Sequence, residues 1–371
     1  MKADKETDRY PALTDSQLFG RVVYIGPTLR ADGGIATVLR SYRDMLPAFR
    51  HIATNSRFGP LGSAVKMAAL MVRLPLMKLA GGTDILHIHG ATGKSWMRKS
   101  LIIRWGALLG FKTVYHSHGG SMAEYSQRYG REKMGRTLQR CAAIATLSQY
   151  WRRFFSETFG HPNVAVINNV VERPAAGELH TAAPRRTQPN ESAPLRLLFL
   201  GAINEKKGIF DLVDTIAAHA ADWRGRVILE VGGDGPMMPQ LREMLKQSSI
   251  NDMIKLHGWI SGADKENLLK QCDAIVLPSY IEGMPISILE GMARAMPVIA
   301  SNVGGIPEIV TDGVNGFIFA PGDTHALASA INAYLTTDGL LARHGAEGLR
   351  RAEPFLPEAV TASLASLYRS L

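Results

Sequence analysis

The chain has 371 residues, 46% of them hydrophobic and 20% charged, which is the composition of an ordinary globular protein long enough for two core-bearing domains. The formal net charge of +9 favours an anionic partner, such as a phosphorylated ligand or an acidic membrane surface. Nucleic acid is excluded as the expected partner, because lysines and arginines are scattered and no basic run is interleaved with aromatics for stacking bases. Cys141 and Cys272 each lie beside an apolar strand-like run, so they read as buried hydrophobes rather than a disulfide or metal pair.

Residues 1–19 are polar and are expected to form a mobile tail, with no apolar stretch of a secretory signal behind them. No run reaches the ~18 uninterrupted apolar residues of a spanning helix, so the expected location is cytoplasmic. From residue 21 onward, strand-like and helix-like pieces alternate, the pattern of an α/β protein. Residues 21–25, RVVYI, form a strand that runs into the glycine loop GPTLRADGG and then a helix over about 35–46. This unit resembles a phosphate cradle but lacks both the dinucleotide spacing and the lysine-serine ending of a P-loop. A plain tight turn and a ligand loop both stay open here.

Residues 61–80 read as an amphipathic helix broken at Pro75, with Lys66 and Arg73 on one face and Met67, Leu70, Met71 and Leu74 on another. A second basic and apolar stretch covers residues 94–112. Each suits either a core helix with solvated lysines or a segment lying on an acidic bilayer, with Trp96 and Trp105 at the interface. Two strands then end alike, DILHIHG at 84–90 and KTVYHSHGG at 112–120. Residues two apart in a strand share a face, which pairs His87 with His89 and His116 with His118. Such pairs at strand ends suit a site at the functional edge of a parallel sheet or a zinc ligand set, although no carboxylate completes the latter.

An internal echo links CAAIATLS at 141–148 with CDAIVLPS at 272–279, the trace expected of two successive α/β halves. Between them, residues 172–194 are rich in proline, alanine and polar types without periodicity and read as a linker. Strands follow at 195–200, 227–231 and 254–259, with GAINEKKG and the Gly232, Gly233, Gly235 turn between elements. Residues 354–371 read as a terminal helix.

The densest signal is AIVLPSYIEGMPISILEGMARAMPVIASNVGGIPEIV at 274–310. An apolar strand is stopped by Pro278, a loop carries Glu282, Pro285 suits the first turn of a helix, and Glu290 lies on that helix. A helix N-terminus thus follows a strand C-terminus, where open α/β sheets place ligands and where free N–H groups attract anions. A Glu pair eight apart on its own is usually a solvated helix face; its flanks and the following glycine turn change that reading.

With those flanks, the chain resembles the retaining glycosyltransferases of the GT-B fold, family 4, also called glycosyl transferases group 1. The resemblance is dense in the C-terminal half and thin in the N-terminal half. It implies two Rossmann-like domains facing a cleft, with residues 20–172 as the acceptor domain, 173–194 as linker, 195–353 as the nucleotide-sugar donor domain, and a helix at 354–371 crossing back to the first domain. It implies that Glu290 accepts hydrogen bonds from ribose hydroxyls, that Glu282 contacts the transferred sugar, and that Lys207 neutralises the diphosphate leaving group. Gly283, Met284 and Ile286 would offer backbone N–H groups, and Gly33, Gly34 and Gly233 would let the backbone approach the donor. His118 matches the sugar-site histidine, with His116 as the alternative; His118 is preferred because the Gly119-Gly120 turn follows it directly. Where the family commonly has an arginine after the first glycine, this chain has Ala202, which leaves Lys206 or Arg30 to supply that contact.

The activity so implied is transfer of a hexose from a nucleotide-diphosphate sugar to a hydroxyl of a sugar or lipid-linked sugar, with retention and without cofactor or metal, since no Asp-x-Asp motif is evident. The expected setting is exopolysaccharide, capsule or glycolipid assembly, at the inner face of the cell membrane through an anionic surface. Two other classes compete. A nucleotide-sugar epimerase of the same fold would convert the donor without an acceptor, and a metal-dependent hydrolase would use the His-x-His-Gly strand ends.

Overall fold

The computed structural model describes residues 14–56, 59–172, 174 and 193–371. The chain divides into two compact units, the first formed by residues up to Val170 together with Phe355–Leu371, the second by Val171–Pro354. Most of the expected linker, residue 173 and residues 175–192, lies outside the described residues, as does the start of the expected tail.

In the first unit, β1 (Val22–Gly26), β2 (His51–Ala53), β3 (Ile85–Gly90), β4 (Lys112–Ser117), β5 (Ala143–Thr146) and β6 (Val164–Val166) form a six-stranded sheet in the order β2-β1-β3-β4-β5-β6. Every pairing is parallel. Residues of β1 and β3 are buried throughout, the state of strands covered on both faces by crossover helices. The strand order reverses between β1 and β3, and in open α/β sheets ligands bind beyond the strand carboxyl ends at such a reversal.

The second unit repeats the architecture with a different order. Its strands are β7 (Leu195–Leu200), β8 (Val227–Gly232), β9 (Ile254–Gly258), β10 (Ala274–Leu277), β11 (Val298–Ser301) and β12 (Gly316–Phe319). They run β12-β11-β10-β7-β8-β9, again parallel throughout, and the reversal falls between β7 and β10. The two echo segments fall on β5 and β10, which hold different places: β10 flanks its reversal point and β5 lies two strands beyond its own. The repeated pattern therefore marks similar strand-to-helix ends rather than equivalent positions. Cys141 and Cys272, which open the two segments, are buried and form no disulfide among the described residues, as their apolar neighbours predicted.

Three local expectations change. Residues 14–19, assigned to a mobile tail, fall in the helix Asp15–Gly20 and its cap Thr14, which forms a reciprocal Thr14–Gln17 capping box. Its Leu18 and Phe19 are fully buried, and Phe19 meets Tyr368 edge to face at 5.7 Å. The partner belongs to the terminal helix Pro357–Arg369, which thus returns to the first unit as the resemblance implied; Arg369 adds an ion pair to Asp15 at 2.5 Å.

The second change is Pro75, expected to break its helix. The helix Gly59–Ala80 runs through it without interruption. A proline at this position leaves the Met71 carbonyl without its intrahelical donor, and the indole Nε1–H of Trp105 donates to that oxygen at 3.0 Å. A side chain from the neighbouring helix Lys94–Leu108 thus replaces the missing backbone bond. The third is Pro285, which caps the helix Ile286–Met292 from outside rather than occupying its first turn.

Candidate active site

The reversal point of the second sheet gathers the residues that the 274–310 stretch singled out. The loop after β7 carries Lys207, and the loop after β10 carries Ser279 and Glu282. Lys207 Nζ donates to Glu282 Oε1 at 2.5 Å, and Ser279 Oγ donates to the same oxygen at 2.7 Å. Glu282 is 7% exposed and Ser279 fully buried, so the carboxylate has left water and is held by one cation and one hydroxyl. An ammonium carries three N–H donors, so the bond to Glu282 leaves Lys207 further donor capacity.

Glycines at positive φ let the loops close on one another. Gly208 (φ +65°) follows Lys207, and a Cβ there would come within 2.0 Å of the Pro278 carbonyl oxygen. Gly304 (φ +57°) would likewise place a Cβ 2.1 Å from the Glu282 carbonyl oxygen. The Tyr280 N–H donates to the Lys206 carbonyl at 2.8 Å, and the Gly305 N–H to the Gly283 carbonyl at 2.9 Å. Three loops are therefore tied backbone to backbone around Glu282. Gly233 lies against Gly201 beside the β7–β8 pair, where a Cβ would strike the Gly201 carbonyl; its observed task is this close approach.

Glu290 sits on the helix Ile286–Met292 and meets Lys265 Nζ at 2.5 Å. Arg294 donates to the Glu290 carbonyl at 3.0 Å and forms a two-pronged pair with Glu266 at 2.6 and 3.0 Å. The helix Gly262–Gln271, which supplies Lys265 and Glu266, is thereby fastened by two ion pairs to the motif helix and the turn that follows it. Sequence reading missed Lys265 because nothing in ADKENLL marks it; only folding brings that helix to Glu290. Ser279 was legible only as the last letter of the repeated CDAIVLPS pattern. Met284 is buried and Ile286 opens the motif helix.

The four histidines of the two strand ends form a single cluster of facing rings on β3 and at the end of β4. His87 and His89 stack at 4.7 Å between centroids, and His116 and His118 lie 4.3 Å apart. His87 Nε2 faces His116 Nδ1 at 3.0 Å, and His89 Nδ1 faces His118 Nε2 at 2.9 Å. His87 Nδ1 is 2.5 Å from the Tyr368 hydroxyl, which donates to the Tyr24 hydroxyl at 3.1 Å. Burial, with a smaller contribution from His118, pushes His87 down to about 3; burial alone pushes His118 to the same region. His89 and His116 also lie well below the ordinary imidazole value, chiefly through burial. All four rings are therefore neutral at pH 7.

His87, His89 and His116 offer ring nitrogens within 4.8 Å of one another, a spacing that suits a metal ion. Facing pairs at hydrogen-bond distance give each of these three rings a protein partner already, and His118 is the outermost and most solvent-facing of the four. Gly33 (φ +104°) precedes the helix Gly34–Met45 with open space where a Cβ would stand. That φ, which L side chains rarely adopt, is the reason glycine suits position 33.

Two parallel six-stranded sheets, each with a reversal point and flanking helices, define the GT-B glycosyltransferase fold. HepE of Anabaena, crystallised with UDP and glucose, superimposes with a TM-score of 0.72 over 95% of this chain and 100% of that chain, at 17% identity. Sucrose-phosphate synthase of Thermosynechococcus elongatus gives a TM-score of 0.74 over 94% and 98%, also at 17% identity. Within this fold, residues 183–351 match the family profile described as glycosyl transferases group 1. The matched segment contains Lys207, Glu282 and Glu290. A 2-deoxystreptamine N-acetyl-D-glucosaminyltransferase of Niallia circulans is 31% identical over 180 residues, which is 47% of this chain and 45% of that protein. The O-antigen chain mannosyltransferase C of Escherichia coli is 30% identical over 178 residues, 47% and 46% of the two chains. The chain spans about half the length of the curated relatives it matches.

Proposed function

We propose that this chain is a retaining hexosyltransferase of glycosyltransferase family 4, which moves a hexose from a nucleotide-diphosphate sugar to a hydroxyl of a sugar or lipid-linked sugar. The observation that carries the reading is the Lys207–Glu282–Ser279 constellation at the β7/β10 reversal point, within the segment that matches group 1 glycosyl transferases. Similar proteins include the O-antigen chain mannosyltransferase C and an amylovoran biosynthesis glycosyltransferase of Erwinia amylovora, which supports polysaccharide or glycolipid assembly as the proposed setting.

The chemistry assigned to the residues is electrostatic. Lys207 meets the negative charge that develops on the departing diphosphate, and its bond to Glu282 holds the ammonium in place before the donor arrives. Glu282 and the Gly283, Met284 and Ile286 backbone orient the transferred sugar. Glu290 accepts from the ribose hydroxyls, a task for which an ionised carboxylate with two oxygens is suited. The acceptor hydroxyl attacks on the face the diphosphate leaves, and a phosphate oxygen takes its proton, so no second carboxylate is needed as nucleophile. His118, the outermost ring of its cluster, is the catalytic histidine assigned to the first unit, with His116 as the alternative.

The test is a panel of nucleoside diphosphates and their sugars, screened by thermal shift and then by transfer, with the anomeric configuration of the product read by NMR. Ligand-dependent stabilisation followed by an α-linked product from an α-linked donor is the expected result. Conversion of the donor to its epimer with no acceptor present would overturn the reading in favour of an epimerase.

A further inference from the structure

The helix Gly59–Ala80 of the first unit is apolar on two opposite faces. Its inner face puts Leu70 and Leu74, both fully buried, into the core cluster with Val23, Ile88 and Ile103. Its outer face carries Leu61, Val65, Ala68, Val72, Leu76 and Leu79, spaced four, three, four, four and three residues apart, which is one stripe of an α-helix. Leu79 is 84% and Leu61 78% exposed, and Val65, Val72 and Leu76 are exposed as well. A surface helix of a water-facing domain carries polar residues on that side. Here the outward side is the more aliphatic one.

The neighbouring helix Lys94–Leu108 extends the surface. It enters the same core cluster through Trp96, Ile102 and Ile103 and presents Lys94, Met97, Leu101, Arg104 and Leu108 outward at helical spacing. The Trp105–Met71 hydrogen bond ties the two helices together, and both pack on the same core cluster. Neither helix contains an aspartate or a glutamate. Lys66 and Arg73 flank the first stripe, and Lys94 and Arg104 lie within the second.

We infer that these two helices form a docking surface for an anionic lipid bilayer, with the aliphatic stripe entering the acyl boundary and the flanking cations meeting lipid phosphates. Helix Gly59–Ala80 is long and apolar enough to cross a membrane by length and composition. It lies in the interface instead, because a spanning helix would have to withdraw Leu70 and Leu74 from the sheet they cover. The charge pattern selects the bilayer over a second copy of the chain. A second copy seamed on this stripe would set cations against cations, whereas an anionic bilayer pairs them, since the two helices carry lysines and arginines and no acidic residue. The inference is independent of the proposed transferase activity.

The experiment is flotation of the full chain with vesicles of phosphatidylcholine alone and of phosphatidylcholine with phosphatidylglycerol, at low and high salt. Wild type is expected to float with the anionic vesicles at low salt and to stay largely in solution with the neutral ones. Two variants separate the contributions: Leu61→Ser with Leu76→Ser and Leu79→Ser removes the stripe, and Arg73→Glu with Lys94→Glu reverses two exposed cations beside it. Each is expected to lower partitioning by about tenfold or more. These side chains face outward, so thermal unfolding and nucleoside-diphosphate binding should match wild type, which distinguishes loss of the surface from loss of the fold. Absence of flotation by wild type, equal partitioning of all three proteins, or a concentration-dependent dimer abolished by the Ser variant would overturn the inference.

Discussion

Lys207 Nζ and Glu282 Oε1 meet at 2.5 Å although 75 positions separate them, because β7 and β10 are neighbours at the strand reversal of the second sheet. The pair is a polar junction between two loops, and Ser279 closes it from below. Replacing Lys207 by Met leaves a mostly buried carboxylate with its hydroxyl donor alone. The single variant is expected to lose about 1–3 kcal/mol of stability, and Lys207→Met with Glu282→Gln to recover most of it. Chemical denaturation of the two variants and wild type checks this, and additive losses in the double variant would contradict it. Transfer activity should be lost in both.

Glu290 tests nucleotide binding separately. Glu290→Ala is expected to weaken nucleoside-diphosphate affinity by about ten- to a hundredfold, the equivalent of one charge-assisted hydrogen bond. Lys265→Ala should have a smaller effect in the same direction, because Lys265 holds the Glu290 carboxylate rather than the ligand. Calorimetric titration reads both. A Lys265 variant weaker than the Glu290 variant would reverse the assigned roles.

Gly304 sits at φ +57° with the Glu282 carbonyl oxygen where a side chain would begin. Gly304→Ala is expected to cost about 1–3 kcal/mol and to displace the Glu282 loop, lowering nucleotide-sugar turnover with it. Gly313 is the matched control: its φ of +68° is similar, yet nothing lies within 4 Å of the added atom. Gly313→Ala should therefore cost only the left-handed backbone strain, about 1 kcal/mol, and leave turnover intact. Thermal melts beside steady-state rates separate the two.

The histidine cluster predicts an acid limit on the stability of the first unit. His87 and His118 are held near 3 by burial, against about 6.5 for imidazole in the unfolded chain. Their folded-state values are depressed, so between about pH 6.5 and 3 the unfolded chain binds more protons than the folded one. The stability contributed by neutral rings is fully present above about pH 6.5 and is lost progressively as pH falls toward 3. His89 and His116 are shifted the same way and steepen the loss. Melting temperature followed from pH 7 downward should fall, and a flat profile to about pH 4 would show that the rings take up protons without unfolding.

Metal removal tests the remaining use of those rings. Prolonged dialysis against a chelator is expected to leave both the melting temperature and nucleotide-sugar transfer unchanged. A fall in melting temperature restored by stoichiometric zinc would assign His87, His89 and His116 a structural metal instead.

The sequence by itself determined the class of fold and the motif. Apolar runs of four to six residues alternating with helical periodicity are sufficient for parallel α/β units, because buried parallel strands must be apolar on both faces. Glu282 and Glu290 stood out because local turn chemistry, Pro278, Pro285 and the glycines surround them, whereas Lys207 was singled out only through the resemblance to family 4. Tertiary structure alone decided which side chains meet. Lys265 carries no local mark, and its place beside Glu290 arises only when the helix Gly262–Gln271 is brought against the motif helix. The same holds for residues 15–20, whose short helix gains its stability from Tyr368 and Arg369 near the far end of the chain. Pro75 is the clearest case. A proline breaks a helix in isolation, and here Trp105 of another helix supplies the hydrogen bond whose loss the break would have answered.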